Sequence, residues 1–265
     1  MGVDVAESIQ ATAYLAAACR AVETSARKPR LSDPYAERII ASHPDGARIR
    51  KGLLGAGTDE VVHRTILLDR LLARAALTAG TTVVNLGAGF CTRPYRLDLS
   101  ECAEVIEADA PALIKAKETL LADADPSCPV RRVPLDVRDV NQLAALLNPI
   151  EGPLVVVTEG LLVYLPRTDL AAIAATINAS AAQRWLTDIV GLSSAAAMEQ
   201  LAQKSGAGLN LYGLGDLRPF EDNGWTVTDY RPLPVPARPG SRTKTGASST
   251  DVVDGVLELT AYKTE

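Results

Sequence analysis

The stretch best equipped for chemistry is Asn85-Leu86-Gly87-Ala88-Gly89. Glycines let a backbone approach a ligand closely and present its N–H groups. Asp109 follows Gly87 by 22 residues, and Glu107 stands two residues before it. A carboxylate at the end of the next strand can accept hydrogen bonds from both hydroxyls of a ribose. A dinucleotide fingerprint needs a third glycine, but the chain continues Phe90-Cys91-Thr92. A pyrophosphate would find less room there, so the spacing points to a nucleoside ligand without one. The alternative is a plain tight turn between strand and helix. Glu159, wedged between an apolar run and Gly-Leu-Leu-Val-Tyr-Leu, is an acid that needs a partner.

These residues need a frame of strands and helices. Thr82–Leu86 is a short apolar, β-branched run bounded by glycine, the mark of a buried parallel strand. Similar runs lie at 104–108, 130–134, 153–158 and 184–190, and helical patterns at 111–122, 141–147 and 167–182 separate them. Two late strands are expected at 225–231 and 255–263. Strands alternating with helices predict an α/β fold with a mostly parallel sheet. Upstream, 5–25 and 59–78 read as helices, and Asp33-Pro34 is expected to open a short one. The glycine-rich stretch after Gly191 reads as helical or irregular. The tract from Pro232 to Asp251 reads as an exposed, mobile loop.

Composition narrows the function. The chain has 265 residues, 47% of them hydrophobic, and a net charge of −5. That gives no basic field for nucleic acid. Arg27, Lys28 and Arg30 read as a solvated loop. No stretch reaches the roughly 20 apolar residues of a membrane span. Cys19, Cys91, Cys102 and Cys128 form no Cys-x-x-Cys pair, so they are read as reduced thiols of a cytoplasmic protein. His43 and His63 are too few for a histidine-based zinc site.

Several segments, VVNLGAGFCTRPYRL at 83–97, EADAPALIKAK at 107–117, VPLDVRD at 133–139 and TEGLLVYLP at 158–166, resemble the leucine carboxyl methyltransferase family. Upstream, Arg20-Ala21-Val22-Glu23 and Ser32-Asp33-Pro34-Tyr35-Ala36 also match its signature. The similarity spans roughly residues 11–190. It implies a Rossmann-like class I methyltransferase with a seven-stranded sheet, helices on both faces and an N-terminal helical lid. Residues 1–78 would form the lid and 79–265 the core, with an acceptor-site insertion at about 191–220. It also implies S-adenosyl-L-methionine as cofactor. Gly87, Ala88 and Gly89 would lie under its methionine part. Asp109 with Ala110 would hold the ribose, and Asp136 with Val137 would flank the adenine. Glu159 with Gly160 would face the methionine amino group. Arg64 would bind a carboxylate of cofactor or substrate, Arg20 has a similar role with Lys28 as competitor, and Tyr164 joins Arg64 as a catalytic candidate. Cys91 departs from the family, which often has Asp there, and the C-terminal third matches poorly.

The chemistry so implied is an in-line displacement at an activated methyl, for which the protein mainly aligns the acceptor and excludes water. An ionised carboxylate acceptor needs no base, whereas a phenol benefits from one. The expectation is an O-methyltransferase acting on a carboxylate of a small molecule, of the natural-product or polyketide type. Homodimerisation is left open. A non-methylating use of the same cofactor and a non-catalytic nucleoside-binding scaffold remain alternatives. A dehydrogenase is a distant fourth, lacking the third glycine and a catalytic Tyr-Lys or His arrangement.

Overall fold

The structure, a computed structural model, describes residues 5–53, 58–76, 78–204, 209–234 and 252–262. Four helices come first: α1 (Val5–Thr24), α2 (Ala36–Ala41), α3 (Gly46–Leu53) and α4 (Asp59–Ala75). Then strands and helices alternate: β1 (Thr82–Leu86), α5 (Arg93–Arg96), β2 (Glu104–Asp109), α6 (Pro111–Leu120), β3 (Val130–Pro134), α7 (Val140–Leu147) and β4 (Leu154–Thr158). A 3-10 turn at Leu162–Tyr164 precedes α8 (Arg167–Ala179), β5 (Ala182–Ile189), α9 (Leu192–Lys204), α10 (Arg218–Glu221), β6 (Trp225–Pro232) and β7 (Gly255–Ala261). Most of the tract from Pro232 to Asp251, with Gly206 and Gly208, lies outside the described residues.

The seven strands form one sheet in the order β3-β2-β1-β4-β5-β7-β6. The first five run parallel, and β7 is antiparallel to both of its neighbours. β1 pairs with β2 on one side and β4 on the other, so the strand order reverses beside it. A reversal opens a crevice beyond the strands' carboxyl ends. Gly87 and Glu159 immediately follow the two strands that flank that crevice.

Period-two alternation sorts the side chains of β1. Val84 and Leu86 join the core beneath α7 and α8, with Leu143, Ile173 and Ile177. Val83 faces the other way, against Leu68, Leu71 and Leu72 of α4. Both faces are therefore covered, as a parallel sheet requires. Trp185 on β5 meets Phe220 and Trp225 edge to face, at 5.2 and 5.6 Å between ring centres.

The N-terminal helices form their own apolar cluster over the sheet's carboxyl ends. Ala17, Ala18 and Ala21 pack with Ile39, Ile40, Phe90 and Leu113. Pro34 lies in the turn before α2 rather than in its first position. Asp33 Oδ1 still caps that turn, accepting from the Tyr35 and Ala36 amides at 3.1 Å each. All four cysteines are unpaired, and burial pushes the Cys19 thiol up to about 11. No helix among the described residues is long and apolar enough to cross a membrane.

Candidate active site

The two glycines after β1 turn the chain with φ of +65° at Gly87 and +42° at Gly89. A Cβ on Gly87 would come within 2.9 Å of Leu161 Cδ1. Only glycine combines that dihedral with so close an approach. The turn is held by Asp109, whose Oδ2 accepts from the Gly89 amide and Oδ1 from the Ala110 amide, both at 2.6 Å. Burial raises the Asp109 carboxyl, and these two amides only partly offset it.

Across the crevice, Glu159 sits among cations. Its Oε1 accepts from Thr65 Oγ1 at 2.7 Å and Arg64 Nε at 3.3 Å. Its Oε2 lies 2.6 Å from Arg93 Nη2, off the hydrogen-bond axis, so that contact is ionic rather than directed. Burial alone would raise the Glu159 carboxyl, but Arg93 and Arg64 hold it well below its ordinary range. Arg64 also reaches Asp188 Oδ2 at 3.2 Å through Nη1. Asp188 Oδ1 accepts from the Gly160 amide at 2.7 Å. Gly160 has φ of +64°, and a Cβ there would stand 3.2 Å from Arg64 Nη2.

A second bracket ties the N-terminal helices to the glycine turn. Arg20 donates to Asp33 Oδ2 at 2.8 Å and to the Phe90 carbonyl at 2.6 Å. Thr92 Oγ1 donates to the same Asp33 oxygen at 2.7 Å. Arg93 and Arg96 clamp Asp69 of α4, with Arg93 Nε at 2.7 Å and Arg96 Nη2 at 2.8 Å from its Oδ1. Arg93 Nη1 also points at Cys91 Sγ, 3.5 Å away.

Of the residues singled out in the sequence, Arg20, Arg64, Gly87, Ala88, Gly89, Asp109, Glu159, Gly160 and Tyr164 line one cavity of about 370 Å³. That size suits a small organic ligand. Tyr164 sits in the 3-10 turn, and its hydroxyl shares a hydrogen bond with the Thr12 side chain of α1. Three expected contacts fall elsewhere. Ala110 is exposed at the start of α6, and Val137 packs into the core beneath the sheet. Asp136 is half exposed and bonded by its own neighbour, with Arg138 Nη2 at 2.7 Å and Nε at 3.0 Å. Arg138 engages both of its carboxylate oxygens, and Asp136 is not among the residues that line the cavity. Glu107 points away too, into a buried pair with Lys117 Nζ at 2.6 Å. Lys28 is exposed and apart from the cavity, and Arg30 pairs with Glu23 and Asp59 at 2.8 Å each.

Asp188, Thr65 and Glu60 also line the cavity, and Asp69 braces its arginines from α4. Asp188, near the end of β5, occupies the neighbouring strand's counterpart of Glu159. An acid at the carboxyl end of a parallel strand was the available signal. The α4 residues carried none, because their roles depend on which side of that helix meets the sheet.

Solved structures share this architecture. A DUF574 family protein from Streptomyces avermitilis has a TM-score of 0.59 at 12% identity, over 85% of this chain and 97% of its own. Magnesium protoporphyrin IX methyltransferase from Synechocystis, solved with S-adenosylhomocysteine, has a TM-score of 0.51 at 14% identity, over 85% and 99%. At such identities the likeness is one of fold. A provisionally named S-adenosyl-L-methionine-dependent methyltransferase of Mycobacteroides abscessus is 34% identical, over 62% of this chain and 58% of its own length. One from Mycolicibacterium smegmatis is also 34% identical, over 72% and 65%. The chain thus spans about three-fifths of the length of these relatives, whereas a Mycolicibacterium gilvum relative, 28% identical, is matched over 97% and 95%. The leucine carboxyl methyltransferase model matches residues 13–178, the segment that carries the glycine turn, Asp109, Arg64 and Glu159, and the chain belongs to that family.

Proposed function

We propose that the chain is an S-adenosylmethionine-dependent methyltransferase that methylates an oxygen of a small molecule. The carrying observation is the single cavity that brings Gly87, Gly89, Asp109, Arg64 and Glu159 together in a member of this family. The cofactor, when bound, supplies a methyl group already activated on a sulfonium. The residues suit it. The positive-φ turn leaves room for backbone approach, and each Asp109 oxygen keeps a free lone pair for a ribose hydroxyl. Glu159 and Asp188 form the anionic wall that a methionine ammonium needs. Arg64 has three N–H groups not engaged by Glu159 or Asp188, enough to hold the methionine carboxylate.

That assignment bears on the acceptor. A carboxylate acceptor needs a cation beside it. Yet Arg64 is taken by the methionine carboxylate in this reading, and Arg20, Arg93 and Arg96, the other cations that line the cavity, each face a carboxylate already. The carboxylate reading, with the natural-product type of substrate it brought, therefore draws its support from the family resemblance. A hydroxyl acceptor needs a base instead, and the lining contains one. Tyr164, held by Thr12, is placed to orient the acceptor.

The test is isothermal titration with S-adenosylmethionine and S-adenosylhomocysteine, with NAD as control, on the native protein and on Asp109→Ala. The expected result is binding of the first two, weakened about tenfold or more in the variant, as for loss of one or two hydrogen bonds to a charged group. Absence of binding to the native protein would return the chain to the scaffold reading. Mass spectrometry that finds a cofactor by-product other than S-adenosylhomocysteine would replace methyl transfer with another reaction.

A further inference from the structure

We propose that Glu60 is the base of the acceptor site, and that the acceptor is an apolar molecule presenting a neutral hydroxyl to it. This rests on the methyl-transfer reading above.

The cavity has two kinds of wall. Its floor, at the strand ends, carries Arg64, Asp109, Glu159 and Asp188. Its mouth is apolar, formed by Leu15 of α1, Met198 and Leu201 of α9, and Leu209 and Leu211 beyond. Leu15, Met198 and Leu201 are 44%, 37% and 65% exposed. Three large apolar side chains left in water around one opening mark a site for an apolar ligand. None of the cavity's arginines is on α9 or in the segment after it.

Four carboxylates line the cavity: Glu60, Asp109, Glu159 and Asp188. Three are committed. Asp109 accepts two backbone amides, Glu159 meets Thr65, Arg64 and Arg93, and Asp188 meets Arg64 and the Gly160 amide. Glu60 makes no hydrogen bond or ion pair with the described residues. It lies in the first turn of α4, one turn before Arg64. Its electrostatic neighbours are Asp254, Arg64 and Asp188. Asp254 Oδ1 in turn accepts from the Gly191 amide at 2.8 Å, directly before α9. Glu60 is therefore the uncommitted carboxylate of the lining, and through Asp254 it neighbours the residue that precedes α9.

Burial and Asp254 raise the Glu60 carboxyl, which makes it a stronger base. Tyr164 is a poor rival, because burial raises its phenol and Thr12 occupies its hydroxyl. Neither His43 nor His63 lines the cavity. In the step itself, the acceptor oxygen forms a bond to the methyl carbon while the carbon–sulfur bond breaks and its electron pair stays on sulfur. The hydroxyl proton passes to Glu60. The ionised Glu60 also repels an acceptor that is itself a carboxylate, so one side chain supplies base and selectivity.

The experiment uses the protein saturated with S-adenosylhomocysteine, titrated calorimetrically with 2-naphthol and 2-naphthoate. These probes share an apolar body and differ in hydroxyl against carboxylate. 2-Naphthol should bind about tenfold or more tightly than 2-naphthoate. Glu60→Gln should narrow that ratio to about threefold or less, mainly by admitting 2-naphthoate. Leu201→Asp should weaken 2-naphthol about tenfold while leaving S-adenosylhomocysteine affinity unchanged. Equal binding of the two probes, an unchanged ratio in Glu60→Gln, or no 2-naphthol binding to the complex would overturn the proposal. Failure of S-adenosylhomocysteine itself to bind would overturn the cofactor reading, and this one with it.

Discussion

At the scale of single residues, Glu159 shows how charge is spent in this site. Its carboxylate is shared by two arginines and a threonine, so removing the charge leaves buried Arg64 and Arg93 with one acid each, Asp188 and Asp69. Glu159→Gln should destabilise the protein by about 3 kcal/mol at pH 7, read by urea unfolding. The effect has a defined pH dependence. The folded-state carboxyl lies below its ordinary value of 4.5, so its contribution is complete above 4.5 and is lost as pH falls through the folded value. The gap between native protein and variant should therefore be widest near neutrality and close progressively in acid. A gap that widens in acid would show that the arginines do not hold Glu159 ionised. Asp188 behaves oppositely: burial raises its carboxyl, and Arg64 only partly compensates. Two acids at the ends of adjacent strands, both facing Arg64, thus have proton affinities pushed apart by their surroundings.

At the scale of elements, the turn after β1 depends on two constraints at once. Gly87→Ala meets both the positive φ and the Leu161 side chain at 2.9 Å. The dihedral alone costs about 1–2 kcal/mol. Adding Leu161→Ala should relieve the clash but not the dihedral, so the double variant should recover only part of the lost stability. Full recovery in thermal melts would show that crowding, not backbone conformation, fixes glycine there. This turn, its strand and Asp109 were legible in the sequence because their signals are local: a β-branched run, two glycines and an acid at the next strand end. Glu107 and Asp109 differ by one strand period, and Asp109 is the last residue of β2. Asp109 turns onto the glycine loop while Glu107 stays inward with Lys117 and Arg132. The pairing of Asp136 with Arg138, two residues on, was not legible, because the residue order does not show which neighbour a turn brings back onto an acid. Glu60, Thr65 and Asp69 could not be picked out, because an amphipathic helix announces its buried face but not which polar residue at its border meets a cavity.

At the scale of the whole molecule, the cavity joins parts that are remote along the chain. α1 closes one side through the contacts of Arg20 with the Phe90 carbonyl and of Thr12 with Tyr164. α4 supplies Arg64, the strand ends supply the acids, and α9 supplies the apolar rim. A ligand held there should tighten all of them together. With S-adenosylhomocysteine at a hundred times its Kd, the protein should gain about 2.7 kcal/mol, a rise in Tm of several degrees. Hydrogen exchange should slow over residues 10–24, 58–66 and 159–165, with no change in β6. Protection confined to the glycine turn would show that the N-terminal helices do not participate in binding.

The place of β7 has a consequence for how the chain reaches this state. β7 is inserted between β5 and β6, and Thr187 of β5 pairs with Leu257, 70 residues further along. Pairings that distant carry a loop-closure cost before they return any stabilisation, and they form slowly. Until β7 arrives, β5 presents an open edge with Trp185, Leu186 and Ile189 on it. Such an edge is a template for the wrong partner. Folding therefore competes with association at this one seam, and the competition should show in soluble yield as a function of temperature and protein concentration well before it shows in equilibrium stability.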